Sequence, residues 1–291
     1  MVQNWIDNWL RDAIVPPIIA NLQIAFGGLE GVVNLDRLSQ TPEQFNPFAF
    51  AEIYNIANGA IMSVAGLILA YVLSYEFIQM LLERNNMRDF ETFMLYKWMV
   101  KCFIAVVLMS NVFTITNAIF TVSQDAIQAI DSLDHAYFDA ASLDAQLRDM
   151  PVGNLFNVFM MSFMLALGAQ IMGVALFFII YGRMFTIYLK LVLAPIPFAT
   201  FVNKDWQSIG MNYVKSICAV AFQAVLMVVV IRLYGAVATP YIQQTINGLG
   251  VAGLTSSTIS WAGIQLLGLW ILLIAMLFKT GSIANSIFGA S

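Results

Sequence analysis

Charge is scarce in this chain: 10% of its 291 residues are Asp, Glu, Lys or Arg, while 60% are hydrophobic. A soluble domain carries about a quarter charged residues, so a surface solvated all round is excluded. Histidine occurs once and cysteine twice, which leaves little from which to build a metal centre or a disulfide framework. Cys102 and Cys218 both sit in apolar runs and read as small buried hydrophobes. No phosphate-binding loop, nucleophile elbow or metal-ligand spacing is present, so neither an enzyme nor a cofactor is expected. A net charge of −4 gives no dispersed nucleic-acid-binding surface. The N-terminal MVQNWIDNWLRD is acidic and aromatic, where a signal peptide opens with positive charge; the first span is expected to act as its own insertion signal.

What the chain does have is long apolar runs. Several exceed the roughly 18 residues needed to cross a hydrocarbon core of about 30 Å, so the expected fold is all-α, a polytopic helical membrane protein. Spans are expected over 56–78, 102–122, 155–181, 217–238 and 259–278. Between the third and fourth lies LVLAPIPFATFV, where Pro195 and Pro197 make an unbroken helix unfavourable. Crossing fully, it would give six spans; dipping in and returning, it gives five spans plus a broken re-entrant segment. The second alternative puts Arg183, Lys190, Lys204, Lys215 and Lys279 on one side, in keeping with the positive-inside rule. The N-terminus is then outside and the C-terminus inside.

Four regions follow. Residues 1–52 read as amphipathic, interfacial helices: Ile6, Leu10 and Ile14 recur at helical spacing, Pro16-Pro17 is expected to break the first helix, and Leu22, Ala25, Leu29 and Val33 mark a second. An ordinary packed helical hairpin fits the same pattern. Residues 53–122 form a first transmembrane hairpin, whose connection YEFIQMLLERNNMRDFETFMLYKWMVK carries Arg84, Arg88, Lys97 and Lys101. Such a basic cluster marks the cytoplasmic side. Residues 123–154 form an acidic extracellular loop with Asp125, Asp131, Asp134, Asp139, Asp144 and Asp149. It lacks the ligand spacing and turn glycine of a calcium loop, and His135 is an exposed polar residue there. Residues 155–291 hold the C-terminal transmembrane core.

Ionisable residues within spans are the usual mark of a transporter or pump, and few occur here. Glu76 and Lys101 fall at matching depths of the first hairpin, where they either form an interhelical ion pair or snorkel separately to the interface. Arg232 lies about 15 residues into its span, roughly 24 Å along the helix, near the outer headgroups. Asn111, Asn117, Gln170 and Gln223 either hydrogen-bond between helices or line a pore. The small-residue pairs Gly66/Ala70 and Ala169/Gly173 would permit close helix approach.

The segment from Ile53 to Leu108, above all YEFIQMLLERNNMRD (Tyr75–Asp89), resembles the first two spans of the TrbL-type conjugal transfer membrane proteins of Gram-positive mobile elements. A second block, Leu189–Gln223, matches in its proline-interrupted segment followed by a basic amphipathic stretch. The resemblance implies a non-enzymatic core subunit of a type IV secretion (conjugation) machine. Such a subunit forms a homo-oligomeric ring in the cytoplasmic membrane, beside the secretion ATPase and coupling protein and among other membrane subunits, and helps DNA and protein substrates cross the lipid bilayer. The family has no catalytic residues to carry over. In this setting Arg84, Arg88, Lys97, Lys204 and Lys215 either dock a cytoplasmic partner or steer DNA, or serve as positive-inside anchors alone. A secondary transporter with its site at Pro195/Pro197, or a structural subunit of another complex, are the rival functions. The first would normally show a matching broken helix in an inverted half, and none is evident near residues 60–80.

Overall fold

The computed structural model describes residues 2–26, 36–82, 92–131, 144, 147–249 and 256–290. Arg84, Arg88 and His135 lie outside the described residues. Every regular element described is helical. In chain order these are α1 (Val2–Phe26), α2 (Asp36–Ser39), α3 (Pro42–Phe45), α4 (Pro47–Ile56), a π-helical turn (Ala57–Ile61) and α5 (Met62–Leu82). Then follow α6 (Thr92–Ser110), α7 (Val112–Asp131), α8 (Val152–Leu193), α9 (Pro195–Phe198), α10 (Gln207–Leu249) and α11 (Ser256–Phe288). Five stretches are long and apolar enough to cross a membrane: 47–82, 93–110, 152–193, 207–238 and 267–288. The chain is thus an all-α, multi-pass membrane protein.

Several boundaries differ from those expected. Pro16-Pro17 does not end a helix; α1 runs through both prolines. The two missing N–H donors cost helix stability, and the buried stripe Val15, Ile18, Leu22 and Ala25 offsets that loss by packing. The second span lies at Phe93–Ser110, not 102–122. A turn at Asn111, whose Nδ2 donates to the Val107 carbonyl at 2.8 Å, separates it from α7, where Thr116, Asn117, Ser123, Gln124 and Asp125 dilute the apolar run. The third apolar helix does not stop at Tyr181 but continues through Arg183 and Lys190 to Leu193.

Two compact units divide the chain. The first comprises Met1–Leu38, Ala129–Tyr181 and Leu226–Thr280. Here Arg11 Nη2 donates to the Met150 carbonyl at 3.2 Å, and Asn21 Nδ2 donates to Ser162 Oγ at 3.3 Å. Arg148 pairs with Asp12 at 2.8 Å and Asp144 at 2.9 Å. Those hydrogen bonds, Asp12's foremost, raise the guanidinium pKa, but the group is exposed and the pairs are screened by water. Close approach occurs at Gly168, where a Cβ would stand 2.5 Å from Trp270 Cζ3. In the second unit, Gly66 has nothing within 4 Å of such a Cβ, so no helix approaches closely at that position among the described residues.

The second unit comprises Ser39–Gln128, Gly182–Val225 and Gly281–Ser291. Its largest core cluster joins Phe120 of α7 to Met184, Ile187 and Leu191 of α8 and to Ile217 and Ala221 of α10. Thr41 and Gln44 form a capping box at the start of α3, and Asn46 caps α4 by accepting from Ala49 N at 3.0 Å. Tyr188 OH donates to the Pro42 carbonyl at 2.9 Å, fixing these short helices to α8. In the second span 6% of the residues are buried, against 44% in the fourth. The rest of the described chain thus covers little of the second span.

Candidate functional site

The segment between α8 and α10 is a tight helical turn. Pro195 and Pro197 lack N–H donors, so α8 cannot propagate through them with its ladder intact. The chain instead closes through Ala199 N to the Pro195 carbonyl (3.1 Å) and Thr200 N to the Pro197 carbonyl (3.1 Å). Asn203 Oδ1 then accepts from Asp205 N at 2.9 Å, and the Asn203 carbonyl accepts from Gln207 N at 2.8 Å to start α10. Ala199 and Val202 pack against Leu69 and Leu73 of α5 and Ala105 and Met109 of α6. The turn therefore runs alongside the first two spans and is not a span itself.

Below that apolar contact lies a polar knot. Glu76 and Asn203 are both buried. Asn203 Nδ2 donates to Glu76 Oε2 at 2.8 Å and to Gln79 Oε1 at 3.2 Å. Glu76 Oε1 takes the Lys101 ammonium in an ion pair, and Gln79 Nε2 donates to Asp205 Oδ2 at 2.8 Å. Both carboxylate oxygens of Glu76 are thus satisfied, which a buried charge requires. Aromatic rings close the knot. Trp206 stacks on Tyr71 and Tyr75, with ring centroids 5.6 and 6.1 Å away. Trp98 Nε1 donates to the Leu73 carbonyl at 3.1 Å.

The structure places Lys101 in this knot and Lys204 exposed beside Asn203. Lys97, exposed, lies one turn before Lys101 with its Nζ 4.8 Å from the Phe93 ring centroid. Lys215 is exposed on α10, about 12 Å along the helix from Gln207. Pro195 is buried against α9's neighbours, and Pro197 is half-buried. Asn203 and Gln79, the residues that tie the turn to the hairpin, were not singled out from sequence. Asn203 was visible only as part of the polar NKDW stretch, and nothing in local sequence pairs it with Glu76, 127 positions away.

Two further cations stand on α8 itself. Arg183 is buried, and its Nε donates to the Val220 carbonyl at 3.2 Å. Lys190 donates to both the carbonyl (3.3 Å) and the hydroxyl oxygen of Ser216, and Tyr213 OH donates to the Lys190 carbonyl at 2.9 Å. Lys190 lines an open cleft of ≈ 310 Å³ with Thr186, Leu189, Leu193, Pro197 and Tyr213. Among the described residues no group of three or more His, Cys, Asp and Glu is placed to hold a metal ion.

These features define a multi-pass helical membrane protein whose polar side chains join helices to one another. The family model described as TrbL/VirB6 plasmid conjugal transfer like protein matches residues 33–195, more than half of the chain. The chain belongs to that family and is a membrane component of conjugal transfer, the type IV secretion process, in which other secretion subunits are its partners. The matched region contains all of the Ile53–Leu108 segment but only the first residues of Leu189–Gln223. No curated protein and no solved structure matches.

Proposed function

We propose that this chain is a non-enzymatic channel or scaffold subunit of a conjugative type IV secretion system, helping DNA and protein substrates cross the cytoplasmic membrane. Family membership over residues 33–195 carries the reading. The subunit lies with its N-terminus outside and its C-terminus inside, and copies of it assemble into a ring. Lys97 and Lys204, with Arg84, Arg88 and Lys215, form the face that meets the secretion ATPase or coupling protein, or attracts DNA by charge. The knot of Glu76, Lys101 and Asn203 supports this role, because it holds the α8–α10 turn against the first hairpin, with Asn203 and Asp205, the neighbours of Lys204, bonded to α5.

The test is deletion of the gene in a donor strain, with complementation. DNA transfer is expected to disappear and to return with the wild-type gene, while the secretion ATPase stays at its normal level and co-purifies with the complemented protein. Undiminished transfer from the deletion strain would overturn the proposal.

A further inference from the structure

The 42-residue helix α8 is about 63 Å long at 1.5 Å per residue, about twice the hydrocarbon core of roughly 30 Å. It carries no charge from Val152 to Gly182, and its charged residues, Arg183 and Lys190, follow towards its C-terminal end. On α10 the uncharged run begins at Ser216, directly after Lys215, and lasts to Ile231. Lys190 donates to Ser216, so the ends of the two uncharged runs are level with each other. A lysine at the end of a span places its ammonium in the polar headgroup layer. Lys190, Ser216 and the exposed Lys215 therefore stand at that layer, whichever end of the chain is outside.

The open cleft of ≈ 310 Å³ at Lys190 has one cation and no carboxylate among its lining residues. An ammonium has three donors. Two go to the carbonyl and hydroxyl oxygens of Ser216, and the third is left for an acceptor in the cleft. The other polar side chains of the wall are already spent: Thr186 Oγ1 donates to the Gly182 carbonyl at 2.9 Å and Tyr213 OH to the Lys190 carbonyl. The rest of the wall is apolar, and Leu189 and Leu193 are exposed. Phe185, one turn before Leu189 and also exposed, continues their stripe along α8. The cleft admits a phosphate and its glycerol but not two acyl chains, for which the stripe is the adjoining surface. A free phosphate would use the cation alone, whereas a phospholipid uses the cation and the stripe together.

We infer that the cleft between α8 and α10 binds one anionic phospholipid. Its phosphate meets the Lys190 ammonium, Lys215 adds attraction at the same level, and the acyl chains cover Phe185, Leu189 and Leu193. Basic pockets between transmembrane helices hold anionic headgroups in this way. A zwitterionic lipid brings the same phosphate with a cation of its own, and so competes poorly beside two lysines. Because Pro197 lines the cleft, the bound lipid braces the start of the turn that joins α8 to α10. The site needs only a multi-pass membrane protein and is independent of the secretion role.

The test uses the full-length protein purified in detergent and titrated with phosphatidylglycerol, with phosphatidylcholine of the same acyl chains, and with inorganic phosphate. Phosphatidylglycerol is expected to raise the thermal midpoint saturably, by mass action on the folded state, and to stay bound as one molecule per subunit in a native mass spectrum. Lys190→Gln should weaken that binding by about tenfold, as loss of a hydrogen bond to a charged group does, and Lys190→Arg should keep it. Lys279→Gln, an equal loss of charge at an exposed position on α11, should leave it unchanged. Leu189→Trp, exposed on the cleft wall, should fill the cleft and abolish retention with Lys190 in place, and it carries the test if Lys190→Gln misfolds. Equal shifts from the two lipids, an equal shift from inorganic phosphate, or equal losses in Lys190→Gln and Lys279→Gln would overturn the inference. So would a dimer that retains no phosphatidylglycerol, in which a second copy covers the cleft.

Discussion

Asn203 Nδ2 donates to Glu76 Oε2 at 2.8 Å, joining the turn after Pro195/Pro197 to the end of the first span. Asn203 has no exposed surface, and its amide also serves Gln79. Replacing it with Leu fills the space but leaves the buried Glu76 and the half-buried Gln79 each short of a donor. The expected loss is about 1–3 kcal/mol, read as a lower thermal midpoint in detergent. Asn203→Asp should lose more, because it sets a second carboxylate against Glu76. An unchanged midpoint for both would show that the knot contributes nothing to stability.

The ion pair of Glu76 and Lys101 should show strong coupling. Lys101→Met strands a carboxylate whose side chain is 6% exposed. The expected cost is about 3 kcal/mol, the low end for breaking a buried pair, since Lys101 is itself 35% exposed and partly screened. Adding Glu76→Gln to Lys101→Met should recover most of that loss. A double variant as unstable as the sum of the singles would mean that the two groups do not interact.

Glycine matters at Gly210 and not at Gly66. A Cβ at Gly210 would stand 2.8 Å from the Pro197 carbonyl oxygen, a backbone atom held by the turn. Gly210→Ala must push α10 away from α9 and is expected to destabilise by about 1–3 kcal/mol. Gly66 stands free, so Gly66→Ala should be neutral or stabilise by up to about 1 kcal/mol, the helix-propensity difference. Protease resistance of the two variants in native membranes gives the comparison, and a reversed order would contradict the packing described.

How much of this was legible in the sequence follows from what each signal depends on. The number of apolar helices was readable because hydrophobicity over some twenty residues is a local property. The end of the second span was not, because Thr116 and Asn117 look tolerable in an apolar run until Asn111 is seen to make the turn before them. Pro16-Pro17 misled for a related reason: proline weakens a helix locally, and only tertiary burial of Val15 and Ile18 decides whether it holds. Lys190 was taken for a residue beyond a span end, because the charges at Arg183 and Lys190 interrupt hydropathy without interrupting the helix. Asn203 was the least legible, since its partner Glu76 is 127 positions distant and no periodicity reports a contact of that kind.

Orientation can be checked with single cysteines on a background lacking Cys102 and Cys218. Ser208→Cys and Ser282→Cys should resist an impermeant maleimide applied to intact cells and react only after permeabilisation, whereas Ser256→Cys should react from outside. The expectation follows from the proposed orientation, which puts Lys204, Lys215 and Lys279 with Lys97 and Lys101 on the cytoplasmic side. External labelling at Ser208 would invert that placement.

The basic face separates docking from mere anchoring. Positive-inside anchoring needs total charge near the span ends, whereas docking needs charge at particular positions. Lys97 and Lys204 are exposed, and neither takes part in the Glu76 knot, so their replacement should not disturb folding. The set Arg84→Gln, Arg88→Gln, Lys97→Gln and Lys204→Gln, combined with new lysines introduced elsewhere in the same connection to keep total charge, should insert normally. Transfer frequency is nevertheless expected to fall by about tenfold or more, equivalent to about 1.4 kcal/mol of lost interaction, and co-purification of the ATPase or coupling protein should weaken with added salt more steeply than for the wild type. Wild-type transfer from a normally inserted variant would reduce these residues to anchors.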